Sequence, residues 1–534
     1  MIVEDNETKG QANRQIARAA GLVMLAYILS NVVGLIKTIL ISRAFGTNIE
    51  YDAFNVANRY PDLIFNLIAG GALASAFIPT LSGFLSKKDD KGAWALTSSI
   101  INLVILVLTF ISIISAIFPQ VIIQYLAPDF SAADQALAAS LLPILLISPV
   151  VFGVSGIIMG VLNTHQHFLM PALASTMLWI GYIFGLIFLT PFWGIYGLAW
   201  GAVIGSFLHI GIQLPGFIRL PNRRYHLSIG RKNPAVKEVI WLMGPRLLGV
   251  AVVQINFIVN VMIASGQPQG SISALNYAFP IMLMPEVAIA QAIAVAALPT
   301  FSAQVARGEL SQMRHSLAST LRSVLLLSVP ATLGLILLRG PFISMLLQGG
   351  MFDSRSADMV SWALLWYTAG LVGHSVVEIL SRAFYALHDT KTPVLVGTVA
   401  MSLNIAFSYA FSYLFNAIGW MPHGGLAFAN TLATFLEMCG LYYLMRRRLK
   451  GIEGSYIAAG TGYAVGATAL MSAAILFWMN YTGGLNSWII GLGGIAIGGM
   501  VYGLCVYIMR VPEIKSLLAA VGRRLPGLGK QTGQ

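Results

Sequence analysis

Fourteen long apolar runs divide this chain at nearly regular intervals, and they constrain its fold more than any motif does. A helix needs about 20 mostly apolar residues to cross the hydrocarbon of a bilayer. Runs of that kind fall at 15–44, 51–86, 93–118, 132–162, 168–190, 194–217, 236–265, 270–304, 312–338, 356–387, 392–415, 423–446, 456–480 and 485–509. Only 10% of the 534 residues are charged and 57% are apolar. A soluble domain carries roughly 25% charged residues, so a cytosolic enzyme is excluded. The mean hydropathy of +0.77 agrees. The expected fold is an all-α polytopic membrane protein with about 14 transmembrane helices. The first run is too long for a signal-peptide core and lacks a small-residue cleavage site, so it is expected to be a retained span.

The basic residues set the orientation. Cytoplasmic segments of membrane proteins carry an excess of Lys and Arg. With the N-terminus inside, the inside segments hold Lys9, Arg14 and Arg18, then Lys87, Lys88 and Lys91, and then the central run from Arg219 to Lys237. Arg307, Arg314, Lys391, the cluster Arg446–Lys450 and a basic C-terminal tail follow. Outside loops hold only Arg339 and Arg355, with Arg43 near an outer edge. An error of one span would scramble this alternation. The net charge of +12 therefore reads as topology and contact with lipid phosphates, not as a nucleic-acid surface. Segment 511–528 has spaced apolar and basic residues suited to the membrane interface. Cys439 and Cys505 both lie in apolar runs, which excludes a disulfide framework and metal-ligand spacing.

The two halves repeat each other. Ala53-Phe-Asn-Val-Ala57 is echoed by Ala274-Leu-Asn-Tyr-Ala278, and Ala76-Phe-Ile-Pro-Thr80 by Ala296-Ala-Leu-Pro-Thr300. His165 with Pro171 matches His388 with Pro393, and Gly197-Leu-Ala199 matches Gly425-Leu-Ala427. Six spans separate the paired elements, an even number, so the repeats are parallel. The expected organisation is a cytoplasmic tail (1–14), an N-terminal six-helix lobe (15–217), a basic cytoplasmic inter-lobe loop (218–235), a C-terminal six-helix lobe (236–446), two extra spans (456–509) and a cytoplasmic tail (510–534). Repeated lobes of this kind form transporters that rock about a midplane site.

Polar groups inside the spans mark the site. A Lys at the bilayer centre costs about 2.5–3.5 kcal/mol, so it must face protein or water. Lys37 sits between Leu35-Ile36 and Ile39-Leu40, six residues after Asn31. Asp52 opens the second span, and Asn55, Arg59, Asp62 and Asn66 recur at helical spacing as one polar stripe. Arg59 and Asp62 are close enough in sequence to pair. Lys37, Arg59 and Arg246 are the expected anion-binding cations, with Asn31, Asp52 and Asn66 shaping the cavity. Arg246 follows Pro245, and Glu286 follows Pro285, where freed carbonyls need protein or a cavity to satisfy them. Glu378 and Arg382 have the spacing of an internal pair, and His209 and His374 read as packing residues. Glu286 and Glu437 are the acidic candidates for ion coupling. The chain has no G-x-x-x-x-G-K-[ST], H-E-x-x-H or G-x-S-x-G, so neither a nucleotide cofactor nor catalysis is expected. The driving force is then an ion gradient, the membrane potential or the substrate's own gradient.

The stretch Leu29-Ser-Asn-Val-Val-Gly-Leu-Ile-Lys-Thr-Ile-Leu-Ile-Ser-Arg-Ala-Phe-Gly46, then Asp52-Ala-Phe54 and Ala76-Phe-Ile-Pro-Thr80, resembles the MurJ (MviN) family of lipid II flippases. Ala297-Leu-Pro-Thr-Phe301, Phe384-Tyr-Ala-Leu-His388 and Gly424-Gly-Leu-Ala427 extend the resemblance along nearly the whole chain. It implies the superfamily of MATE exporters and polysaccharide flippases. It also implies a cargo: undecaprenyl-pyrophosphate carrying a peptidoglycan precursor, moved from the inner to the outer leaflet of a bacterial cytoplasmic membrane. The two extra spans would form a groove for the lipid tail. A monomer in the bilayer, without nucleic-acid partners, is expected. The family pattern carries Arg at the positions of Asn31 and Lys37, basic residues at Phe65-Asn66, Glu at Gly70 and Arg at Pro280, whereas Asp52 and Arg43 are retained. A sodium site described for some members would fall near Asn260 and Asn404, amides where the family has carboxylates. The alternatives are a flippase for another undecaprenyl-linked glycan, a MATE-like exporter with carboxylates at its cavity centre, and a non-transporting scaffold with fully paired charges.

Overall fold

The chain is helical wherever it is embedded, because a bilayer offers no water to satisfy exposed backbone groups. In the computed structural model the described backbone covers residues 2–68 and 71–511, with side chains described for 21–67, 76–244, 247 and 249–511. The expected interfacial segment 511–528 lies outside the described residues but for Val511. No β-strand occurs among the described residues, and a lone antiparallel bridge joins Gly349 and Phe352. Among the described residues ten helices are long and apolar enough to cross a membrane, or up to twelve if each of two bent pairs counts as one span. The second and twelfth expected spans do not meet that test. Each carries charged residues, Asp52, Arg59 and Asp62 in one and Glu437 with Arg446–Arg448 in the other. A count of fourteen is therefore not established, while a multi-pass helical membrane protein is.

The chain forms two compact units, Met1–Ser273 with Gly349–Phe352, and Ala274–Gln348 with Asp353–Gln534. The first contains α1 (Ile2–Phe45), α2 (Ile49–Ile68), α3 (Gly71–Ser86), α4 (Asp90–Ile117), α5 (Pro119–Leu126), α6 (Ala132–Leu145) and α7 (Ile147–Thr164). It continues with α8 (Leu169–Phe184), a π-helical turn (Gly185–Leu189), α9 (Thr190–Trp193), α10 (Ile195–Gly211), α11 (Leu214–Ile218) and α12 (Pro234–Ser265). Although α12 was expected to open the second repeat, it packs on α2 and α3 of the first unit. The basic loop before it is strapped to α4. Asn102 Nδ2 donates to the carbonyls of His226 and Ser228, each at 2.9 Å, and Asn222 Nδ2 donates to Asp90 at 2.7 Å.

The second unit contains α13 (Ser271–Glu286, begun in the first unit), a π-helical turn (Val287–Gln291), α14 (Ala292–Ala306), α15 (Leu310–Leu347) and α16 (Ser354–Ala369). Then come α17 (Leu371–Ala386), α18 (Lys391–Ala417), α19 (His423–Arg448), α20 (Gly454–Tyr481) and α21 (Ser487–Ile508). Its core packs α14, α15, α17 and α19 around Phe301, Leu321, Leu380, Phe384 and Leu441. Caps are built where the chain re-enters a helix. Asp353 Oδ1 accepts from Ser356 N at 2.8 Å, and Asp389 Oδ1 accepts from Thr392 N at 3.0 Å. These backbone bonds hold both carboxyls below the usual 3.8.

Glycines set how closely the helices approach at Gly197 and Gly425. In lipid, helices associate through close packing of small residues. Gly181 and Gly185 lie against Gly197, Gly201 and Gly205, all spaced by four. A Cβ on Gly181 would stand 2.1 Å from Gly205 Cα, and one on Gly197 2.3 Å from Thr190 N. In the other unit a Cβ on Gly425 would stand 2.5 Å from the backbone of Phe411. Both glycines therefore let a helix meet its predecessor backbone to backbone. Gly201→Leu should destabilise the detergent-purified protein by about 2 kcal/mol or more, since the neighbouring backbone cannot yield. Gly211→Leu, where a Cβ would meet nothing within 4 Å, is the control and should leave the thermal midpoint unchanged. Equal midpoints for the two variants would refute the packing argument.

Candidate functional site

Lys37 lies on α1, which packs on α8. Its ammonium sits 4.4 Å from the ring centroid of Trp179 and 5.6 Å from that of Tyr182. Among the described residues no carboxylate lies within ion-pair distance of it. Gly34, one turn earlier, brings the helices together, since a Cβ there would stand 3.2 Å from Trp179 Nε1. The Trp179 and Tyr182 rings also lie against each other, 6.1 Å between centroids. This cluster lies wholly within the first unit.

The other expected residues are placed as follows. Arg59 lies over the ring of Phe257, with 4.8 Å to its centroid, and Asn58 rather than Arg59 donates to Asp62, at 3.0 Å. Asn31, Asn55 and Asn66 each turn back to a carbonyl of their own helix, on Tyr27, Tyr51 and Asp62. Asp52 is 2% exposed and faces protein rather than a cavity. It accepts from Gly270 N and Ser273 N, both at 2.7 Å, and from Ser273 Oγ at 2.5 Å. It thus caps the start of α13 from a different helix. Gly270 has φ +94°, and a Cβ there would meet the Thr47 carbonyl at 2.5 Å, which seals this junction. The side chain of Arg246 and the whole of Gly70 lie outside the described residues.

Of the ion-coupling candidates, Glu286 is buried at the end of α13, and Glu437 is half-buried beside Gly397. Asn260 Nδ2 donates to Asn256 Oδ1 at 3.2 Å. Asn404 is fully buried, its carbonyl accepting from Ser408 Oγ at 3.1 Å, while its Nδ2 has no hydrogen-bond partner. Among the described residues no three His, Cys, Asp or Glu side chains form a metal-binding group. Arg382 pairs with Glu378 at 2.7 Å. His209 Nδ1 lies 2.7 Å from Ser155 Oγ, which also accepts from Gln213, and His374 meets Asn430 and Thr434 at 3.3 Å.

Two features went unread in the sequence. Arg322 is 4% exposed in α15, with its guanidinium 4.4 Å from the Tyr456 ring and 5.9 Å from that of Tyr463. Gly460 admits it, because a Cβ there would stand 2.3 Å from Arg322 Cγ. Its place in the apolar run Leu321–Leu327 was the available signal. The second feature is an apolar cavity of about 390 Å³ between α13, α15, α20 and α21, lined by Pro285, Pro330, Gly334, Met471, Gly498 and Tyr502 among others. Tyr502 donates its hydroxyl to the Leu326 carbonyl, leaving an almost wholly apolar wall. Only folding brings these four helices to one space.

The fold is similar to that of solved structures described as MATE family transporters of the MOP superfamily. A solved structure titled an inward-facing multidrug resistance MATE family transporter superposes with a TM-score of 0.65 at 13% identity, covering 81% of this chain and 98% of its own. A closer structural relative, titled "Lipid II flippase MurJ, inward closed conformation", has a TM-score of 0.78 at 27% identity and covers 92% of this chain and 99% of that one. The lipid II flippase MurJ of Burkholderia cenocepacia is 31% identical over 428 residues, 79% of this chain and 82% of that protein. The family model described as lipid II flippase MurJ matches residues 41–492, so the chain belongs to the MurJ family.

The Asp52 junction generates a stability prediction. Removing a buried carboxylate with three donors strands all of them, at about 2–4 kcal/mol. Asp52→Ala should lower the unfolding midpoint accordingly in detergent, with Asp52→Asn recovering part of the loss. An unchanged midpoint for Asp52→Ala would show that the junction contributes nothing.

Proposed function

We propose that this chain flips lipid II, the undecaprenyl-pyrophosphate-linked precursor of peptidoglycan, from the inner to the outer leaflet of a bacterial cytoplasmic membrane. Lys37 carries the reading. A cation at membrane depth with aromatic neighbours and, among the described residues, no carboxylate in reach suits an anion better than an organic cation. A pyrophosphate entering the membrane needs such fixed charge, and Lys or Arg supplies it through charge-assisted hydrogen bonds. Arg59 on α2 and Arg246 on α12 are the further cations of this reading, and Asn31 and Asn66 its polar neighbours. The apolar cavity at the terminal helices receives the prenyl tail, which lowers its free energy by burial against Pro330, Met471 and Gly498.

The transport cycle alternates access between the two repeats, with both termini in the cytoplasm as the basic loops require. No covalent chemistry is involved, and the chain acts as a non-enzyme. One copy holds both repeats, so a monomer suffices. Membrane potential or an ion gradient drives the cycle, and an ion would be met at Glu286, Glu437, Asn260 or Asn404.

Two variants test this. Lys37→Ala should reduce rescue of a flippase-depleted strain, and flipping in vesicles, by about tenfold to a hundredfold, the worth of one lost charge-assisted contact. Membrane insertion should stay normal. Full rescue by that variant would sink the assignment. Gly499→Phe tests the tail cavity, because Gly499 lines it and a Cβ there meets nothing within 4 Å. The ring should fill the cavity without a clash and cut flipping about tenfold, with the thermal midpoint held. Unimpaired flipping would remove the cavity from the path.

A further inference from the structure

A lysine inside an apolar helix raises a question that the structure answers with two aromatic rings. The Lys37 ammonium lies 4.4 Å from the Trp179 centroid and 5.6 Å from that of Tyr182. Both distances fall within the range of about 6 Å over which a ring face attracts a cation. Trp179 and Tyr182 are three residues apart on α8, so both rings project from one helical face. The indole is placed by close helix contact rather than by its own freedom. Gly34 leaves room for it, Nε1 lying only 3.2 Å from where a Cβ would stand.

We propose that Trp179 and Tyr182 form an aromatic cradle that holds the Lys37 ammonium at membrane depth and presents its open side to a phosphate oxygen. They are positioning residues for the anion site. The inference rests on Lys37 being the anion-binding cation and adds what keeps that cation in place. The chemistry favours a cradle over an ion pair. A carboxylate beside Lys37 would neutralise it and compete with a phosphate, whereas an aromatic face attracts the ammonium without taking up its three N–H donors. A lysine stem also ends in a compact point charge, which rings on one side can orient while the other side stays free.

The test separates the cradle from bulk packing. Fluorination withdraws charge from the indole face while barely changing its size, so a purely structural Trp179 would be indifferent to it. The full-length protein is prepared with tryptophan, monofluoro-, difluoro- or trifluoro-tryptophan at position 179 alone, and undecaprenyl pyrophosphate is titrated in detergent by native mass spectrometry. The Kd should rise stepwise with each fluorine, by about fivefold to tenfold across the series. In a Lys37→Ala background the series should be flat. A flat series in the parent, with Lys37→Ala still impairing binding, overturns the cradle and leaves the anion site standing. Unimpaired binding by Lys37→Ala overturns the anion site itself. Trp179→Leu should weaken binding at least as far as the trifluoro ring, and a thermal midpoint matched to the parent would confirm that folding is not the cause.

Discussion

A bilayer supplies no water, so each polar group that enters it must find a partner within the protein, and that constraint organises this structure. Asn31, Asn55 and Asn66 obey it locally by bonding carbonyls one turn back, on Tyr27, Tyr51 and Asp62. Asp52 obeys it at long range by receiving the N–H groups of Gly270 and Ser273. Lys37, with no carboxylate in reach among the described residues, obeys it through aromatic faces. These solutions differ in consequence. A carbonyl or an N–H uses up the group that it satisfies, while a ring leaves the ammonium able to bind something else.

The same constraint accounts for the glycines. Where hydrocarbon surrounds both sides of a contact, apolar burial adds little, and helix pairs are held by close approach. Gly181, Gly185, Gly197, Gly201 and Gly205 let α8 and α10 meet at backbone distance, and Gly425 does so for α18 and α19. Gly197 and Gly425 each stand where a side chain would strike the preceding helix. Around Arg322 the device recurs with a charge, Gly460 making room for a guanidinium beneath Tyr456. The terminal helix α20 is thereby fastened to α15, and the apolar cavity opens beyond it.

Much of this was legible beforehand, and the limits were physical. Apolar runs mark helices because span length is set by the bilayer, so an all-helical membrane fold followed from composition and spacing. The Glu378–Arg382 pair was also readable, since one helical turn separates its members. The Arg59–Asp62 spacing was equally suggestive, yet Asn58 reaches the carboxylate and Arg59 turns to Phe257. Spacing says which groups share a helix face and not which neighbour a long side chain chooses. Asp52 read as a cavity residue because its partners lie more than two hundred residues away, at Gly270 and Ser273.

By itself the sequence determined the embedded helical class and marked Lys37 as a cation that breaks the positive-inside pattern, because both depend on local composition and one-dimensional order. Tertiary structure alone decided that α12 packs with the first unit, that Asp52 closes a junction, that Trp179 and Tyr182 flank Lys37, and that four distant helices enclose an apolar cavity. Each of these joins segments far apart in the chain. Such contacts are chosen by the shape and closeness of packed helices, and no periodicity within a single helix records its neighbour.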